Sequence, residues 1–317
     1  MILPRLRKKN IVVVRAGENS MHHCFLDLPY SERDYDVVVS YFDRKAYECH
    51  YEEQGVKAFF CLGGKWDGLY ETFSWMGEAL DRYEFIWLPD DDIDADAGTI
   101  NRLFELMQMH NMAVAQPSLT SDSFFTHFLF INCPGLQLRR TNYVEIMVPC
   151  LRLDLLKRVM PHFRETMSGF GLDYIWCRLP ESGIDRSGIF DSICVRHTRP
   201  VGKVLMSRIS ANGKSAKDEE AALNALYGIE ERITPLCYGA LTADDKRISG
   251  LGRTGFVMFL HHLMRLPRLR ADACSYGFGH LVQLVRRQLT RKITMEPLNE
   301  PFVLPGSTQQ THSRHTG

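Results

Sequence analysis

Neither sign of charge is in excess in this sequence: Lys+Arg and Asp+Glu each total 38 over 317 residues. That balance excludes a nucleic-acid-binding role resting on bulk positive charge, so any electrostatic signal has to be local. The nine cysteines are odd in number and scattered, without a CxxC pair. They indicate neither a disulfide framework nor a zinc site, and reduced thiols in a cytoplasmic compartment are the expectation. Nowhere do apolar residues run to the ~18 that a membrane span requires. The basic opening MILPRLRKKN leads into a four-residue apolar run, IVVV, too short for a secretory signal core. Membrane contact is therefore expected to be peripheral at most, on the inner face. Internal repeats are absent, and the Gly-Gly-Lys at 63–65 lacks the GxxxxGK[ST] spacing that would support a P-loop.

What the sequence does have is a series of short β-branched or aromatic runs: NIVVVR (10–15), YDVVVSYF (35–42), VKAFFC (56–61), FIWL (85–88), MAVAQ (112–116), YVEIMV (143–148) and IFDSICV (189–195). Continuously apolar runs of this length suit strands buried on both faces, as in a parallel sheet covered by helices. Between them, Leu69, Phe73, Met76 and Leu80 form one helical stripe, and Ile100, Leu103, Phe104 and Met107 another. The expected fold class is α/β, a mostly parallel Rossmann-like sheet flanked by helices, over residues 1–202. Residues 203–300 are expected to form a helical, basic C-terminal region. Between Lys246 and Lys292 there are ten Lys/Arg against one acid, Asp272, which suits a solvated basic face or docking on anionic lipid or a phosphate-bearing acceptor. The polar end, 301–317, is expected to be a disordered tail.

The densest signal is YEFIWLPDDDIDAD (83–96), with five carboxylates in seven positions. Clustered carboxylates raise one another's pKa and repel, so water, helix amides or a cation has to relieve them. Asp94 and Asp96 precede a helix and can cap its free amides. Asp90, Asp91 and Asp92 follow the FIWL strand and Pro89, at the edge of the sheet where ligands bind in open α/β folds. If that segment is extended, Asp90 and Asp92 converge while Asp91 faces the other way. Two such hard oxygen ligands suit Mg²⁺ or Mn²⁺ completed by substrate phosphates. Prenyl-diphosphate chemistry through Asp90, Asp91 and Asp94, a phosphatase, and a nucleotide-sugar transferase with a DxD motif all use such acids. The position behind a central strand favours the transferase.

Taken in order, VVVRAGENSMHHCFL, YDVVVSYFD, GGKWDGLYETF, YEFIWLPDDDI, YVEIMVP, GFGLDYIW and DSICVRH resemble the domain-of-unknown-function family numbered seven hundred and seven, which is itself regarded as similar to glycosyltransferases of the GT-A fold. The resemblance spans about residues 10 to 200. It implies a DxD site in which Asp90 and Asp92 hold Mn²⁺ or Mg²⁺ on the diphosphate of a UDP- or GDP-linked sugar, with His197 as a third ligand and Asp191 as a weaker alternative. It also implies an acidic base for the acceptor hydroxyl, of a glycan or a lipid-linked acceptor, at Asp173, with Glu145 second. As a plain reading, Asp173 can equally cap a helix and Glu145 can be a salt-bridge partner. The donor side is expected to use the loop Arg15, Gly17, Asn19, together with Tyr41, Asp43, Lys65 and Asp91. His22-His23 and His261-His262 are read as non-ligands, and Trp66, Trp75 and Trp176 as packing residues. Two rival readings remain: an inactive sugar- or nucleotide-binding protein of the same shape, and a metal-dependent phosphohydrolase.

Overall fold

The computed structural model describes residues 8–52, 56–179, 181–183, 185–200, 215–230 and 233–298, with the side chains of 271–276 left aside. The expected polar tail, 301–317, and the entry to the basic region, 203–214, lie outside the described residues.

Four apolar runs form the strands expected of them: β1 (Asn10–Ala16), β2 (Tyr35–Tyr41), β3 (Lys57–Phe60) and β4 (Phe85–Trp87). Each is parallel to its neighbour, in the spatial order β3-β2-β1-β4. The sheet continues through β8 (Cys150–Arg152), β6 (Val114–Leu119), β9 (Ser187–His197), β7 (Leu136–Thr141), β10 (Cys237–Thr242) and β11 (Arg247–Ser249), while β5 (Ile93–Asp94) pairs separately with β9. Strands β1 to β4, β6, β9 and β10 run in one direction, and β7, β8 and β11 run against it.

Alternate residues of β1 enter two different cores. Val12, Val14 and Ala16 face one side of the sheet, and Ile11 and Val13 the other. That is why the strand reads as uninterrupted valine and isoleucine rather than alternating with polar residues. The first face is covered by α1 (Arg44–His50) and α3 (Ala97–Met109), and the second by α2 (Trp66–Met76), α4 (Leu153–Phe163) and the short α5 (Leu172–Ile175). Asp96 caps α3 by accepting the Thr99 amide at 2.6 Å, as a carboxylate should at a free N-terminus. Asp94 does not cap; it lies in β5 and pairs with Arg196.

The C-terminal region holds more than helices. α6 (Ala216–Leu226), α7 (Leu251–Arg265) and α8 (Ala271–Thr290) are present, but β10 and β11 extend the sheet beyond β7. α6 packs Leu223 on the second face, and α7 and α8 pack Met258, Leu281 and Leu284 on the first. Among the described residues no helix is long and apolar enough to cross a membrane.

The run YVEIMV is not a strand. Its backbone turns, and its amides bond elsewhere: Val144 to the Asp173 carbonyl and Glu145 to the Gln116 side chain. The strand that replaces it is β7, LQLRRT, whose Arg139 is fully buried against Asp191. The guanidinium grips both carboxylate oxygens, at 2.7 and 2.9 Å, and Asp191 also accepts the Cys133 amide. Breaking one side of such a pair leaves a buried charge without a partner. Arg139→Met should therefore cost about 3–5 kcal/mol of unfolding free energy in urea titration, and Arg139→Met with Asp191→Leu should recover most of that loss.

Candidate metal and diphosphate site

Parallel strands on either side of β1 diverge in chain order, β2 and β3 to one side and β4 to the other. The crevice at such a switch point, beyond the carboxyl ends of the strands, is where open α/β sheets bind ligands. Two loops meet there. The turn after β4 sends the Asp91 carbonyl to the Met21 amide at 2.7 Å, and the Asp91 carboxylate accepts from the Gly17 amide at 3.4 Å.

The three adjacent aspartates are each met by a nitrogen-bearing side chain, one from the loop before α2 and two from the end of β9 and just beyond it. Lys65 donates to Asp90 at 2.6 Å, and also to the carbonyls of Ile146 and Met147. His197 Nε2 lies 3.2 Å from Asp92 Oδ2. Arg199 reaches Asp91 at 3.4 Å and also bonds the Asn19 carbonyl. Burial lifts the Asp90 carboxyl above its usual range and Asp92 adds to the lift, against the opposing pull of Lys65 and His197. Burial likewise pushes Asp91 up to about 6, although Arg199 opposes it.

Asp90 and Asp92 come together, but not by the extended alternation expected of them. Asp91 and Asp92 form a turn, closed by the Ile93 amide on the Asp90 carbonyl. What brings His197 to them is β5, whose Ile93 pairs with His197 itself, while Thr198 donates to the Asp92 carbonyl. One ligand atom from each of Asp90, Asp92 and His197 then lies within 4.8 Å of the others, a set that can hold a metal ion. The imidazole is oriented for that role. Nδ1 faces the Phe124 carbonyl at 3.0 Å, and since a carbonyl only accepts, Nδ1 carries the proton and Nε2 is the atom turned to the carboxylates. Burial lowers the His197 pKa, but its bond to Asp92 and the charges of Asp92 and Asp90 outweigh this, so the net shift is upward. Asp191, the alternative third ligand, is absent from the cluster because Arg139 holds it in the interior.

The second carboxylate group lies in the loop after β7 and at α5. Asp173 is 4% exposed and follows two glycines with positive φ, Gly169 at 74° and Gly171 at 98°. A Cβ on Gly169 would stand 2.0 Å from the Trp66 indole nitrogen, so only glycine fits there. Asp173 accepts the Ile146 amide at 2.9 Å and bonds the Tyr143 hydroxyl, yet burial dominates and pushes its pKa up to about 7. Glu145 is equally buried, and neither carboxylate oxygen has a partner at hydrogen-bonding geometry. Burial and the charge of Asp173 raise its pKa well above the usual range, and Asp90 raises it further, against weaker relief from Thr126 and Lys65. The two carboxylate groups thus sense one another through Glu145 and Lys65.

The remaining donor-side candidates separate into two sets. Lys65, Asp91, Gly17 and Asn19 stand at the meeting of the loops. Arg15, Tyr41 and Asp43 have structural partners instead. Arg15 is 4% exposed and donates to Ser40 and to the carbonyls of Cys61, Gly63 and Gly64. Tyr41 is wholly buried, with His22 edge-on to its ring, so it offers no face to a base. Asp43 caps α1 through the Ala46 amide. Of the tryptophans, Trp66 and Trp176 are core residues and Trp75 stacks on Phe59. The histidine pairs stay out of the cluster; His262 is buried beside Phe128. Arg199 was not foreseen from the sequence. Its signal was there in VRHTR, two positions after His197, where an extended chain returns a side chain to the same side.

No protein-family model matches the chain, so the family expected from the sequence has no support from that comparison. No curated protein matches it either. Among solved structures, it is similar to residues 1–349 of TarS from S. aureus in complex with UDP-GlcNAc, at 12% identity and a TM-score of 0.43, covering 93% of this chain and 97% of that one. The same TarS fragment in complex with UDP gives 13% identity and a TM-score of 0.41 over the same shares. Mannose-1-phosphate geranyltransferase from Thermus thermophilus gives 12% and 0.34, covering 60% of this chain and 75% of that one. Likeness at this level assigns no activity, and what the site can do follows from its own geometry.

Proposed function

We propose that the chain is a metal-dependent glycosyltransferase of the GT-A kind that moves a sugar from a nucleotide-sugar donor to a hydroxyl acceptor on a glycan or lipid-linked molecule. The observation that carries this reading is the convergence of Asp90, Asp92 and His197 at the switch point between β1 and β4. Two carboxylates and one imidazole nitrogen form a hard to borderline donor set, which suits Mn²⁺ or Mg²⁺. Although its surroundings are dense enough to raise its pKa, the Asp90 side chain keeps 36% of its surface exposed, so a ligand can approach it.

A divalent ion bound there would supply positive charge against the diphosphate of the departing nucleotide. The chain's own residues add to that field. Arg199 and Lys65 already lie against the acidic turn and are placed to meet phosphate oxygens. The amide of Gly17 points at the same turn. Asp173 is the candidate base: a carboxyl with its pKa near 7 is half ionised at neutral pH and is matched to accepting a hydroxyl proton.

The reading is tested by melting the protein with a panel of nucleoside diphosphates, with and without Mn²⁺. A ligand at ~100 times its dissociation constant should add roughly 2.7 kcal/mol. Asp92→Asn should remove the metal-dependent part of that shift, and a panel with no metal-dependent member would sink the assignment. Release of inorganic phosphate in place of a nucleoside diphosphate would point to a phosphohydrolase instead.

Asp173→Asn should leave donor binding intact and slow transfer by about 10²–10⁴-fold. In the parent protein the transfer rate should rise with pH, with its midpoint at about 7; a pH profile unchanged by the substitution would remove Asp173 as base. Stability gives a second measurement. The folded chain binds this proton more tightly than the unfolded chain, so the contribution is complete at acidic pH and is lost as pH rises through about 7. Urea unfolding at pH 5 and pH 8 should show a smaller loss in Asp173→Asn than in the parent.

A further inference from the structure

The outer face of the C-terminal hairpin is apolar where the molecule meets solvent. On α7, Phe256, Leu260 and Met264 are 62%, 43% and 66% exposed. They fall within roughly a 100° arc of the helix, on the side away from buried Met258 and His262. On α8, Phe278, Val282 and Leu289 are 64%, 50% and 66% exposed and fall on one stripe in the same way. The helices run antiparallel, the start of α7 beside the end of α8. A Cβ on Gly252 would lie 3.9 Å from Leu289, and one on Gly255 would lie 2.9 Å from Gln288. The two stripes therefore form one continuous apolar surface. Exposed Arg253, Arg286, Arg291 and Lys292 lie on the same two helices and just beyond α8, in the segment where Lys and Arg outnumber acids ten to one.

Exposed apolar side chains cost free energy in water, and a second copy of the chain would bring a second set of the same positive charges against the first. An anionic lipid surface answers both features, taking the apolar stripe into the acyl boundary and the arginines onto its headgroups. We propose that this face of α7 and α8 docks the protein peripherally on anionic lipid. At its far end the hairpin turns beside the cluster: Arg270 lies over the Phe124 ring, and the Phe124 carbonyl holds His197. Docking would place the crevice next to hydroxyls borne at the lipid surface. The inference stands whether or not the chain transfers sugar, because the docking is read without donor or metal.

The test is co-sedimentation of the full chain with phosphatidylcholine vesicles, with and without about 30% phosphatidylglycerol. The bound fraction should rise several-fold with the anionic lipid and fall again in high salt. Arg253→Gln and Arg286→Gln should each weaken binding by about five-fold. Phe256→Glu with Met264→Glu should abolish it at an unchanged melting temperature, since both side chains are exposed. Equal binding to both vesicle types, or binding to neither, would overturn the proposal. So would a dimer in light scattering that the Phe256→Glu, Met264→Glu variant dissolves while vesicles stay unbound, which would assign the face to a second copy.

Discussion

Three consecutive carboxylates can share one turn only if something offsets their repulsion, and here each has a lysine, histidine or arginine nitrogen against it. Lys65 comes from the loop before α2, while His197 and Arg199 come from the end of β9 and just beyond it. Lys65 and the pair His197 and Arg199 are far apart along the chain. The acidic turn therefore has to be the meeting point of distant pieces of chain, and the sheet order makes it so. β4 lies next to β1, and β5 folds back onto β9. Because the turn is held from several sides, the cluster is preorganised, which is the condition under which fixed charges act on a reacting group without first having to reorganise.

The C-terminal region completes the site from both faces. On one side, Glu219 of α6 accepts from the hydroxyls of Thr166 and Ser168 and from the amides of Met167 and Ser168. Burial would raise its pKa, but these donors outweigh burial and draw it down. Tyr174, adjacent to the candidate base, donates to Glu220 and Asn224 of the same helix. On the other side, the hairpin turn covers Phe124, and Phe124 fixes the imidazole. A region that looks like an appendage by composition thus bonds the loop before α5 on one side and covers Phe124 on the other.

Much of the fold was legible because burial on two faces leaves a plain mark. NIVVVR and YDVVVSYF are apolar at most of their buried positions, with Arg15, Asp36 and Ser40 the polar ones, and β1 and β2 lie where those runs do. YVEIMV carries the same mark and is not a strand, since a turn packed into the core also has apolar side chains. Only the partners of its amides, Gln116 and Asp173, distinguish the two cases, and they lie 29 and 27 residues away. LQLRRT was illegible for the opposite reason. Two arginines argue against a buried strand until Asp191, 52 residues on, neutralises one of them. The acidic turn could be read from its position behind a central strand, whereas His197 was singled out only through the family resemblance. The roles of Arg15 and Tyr41 could not, because each is set by contacts with side chains and carbonyls that sequence order does not bring near.

Glu145 and Asp173 differ in how readily they ionise, and the difference follows from their surroundings. Both are nearly excluded from water, and the charge of Asp173 raises the cost of ionising Glu145. Asp173 has the Ile146 amide and the Tyr143 hydroxyl to stabilise its anion, whereas Glu145 has only weaker relief and a second carboxylate, Asp90, nearby. The carboxylate with the donors ionises first, and its charge then keeps the proton on the other. Glu145 is therefore the carboxyl held more firmly in its neutral form, and Asp173 the one that gives up its proton more readily. Two neighbouring buried acids are thus given different tendencies to ionise by the donors around them, as paired carboxylates are in general.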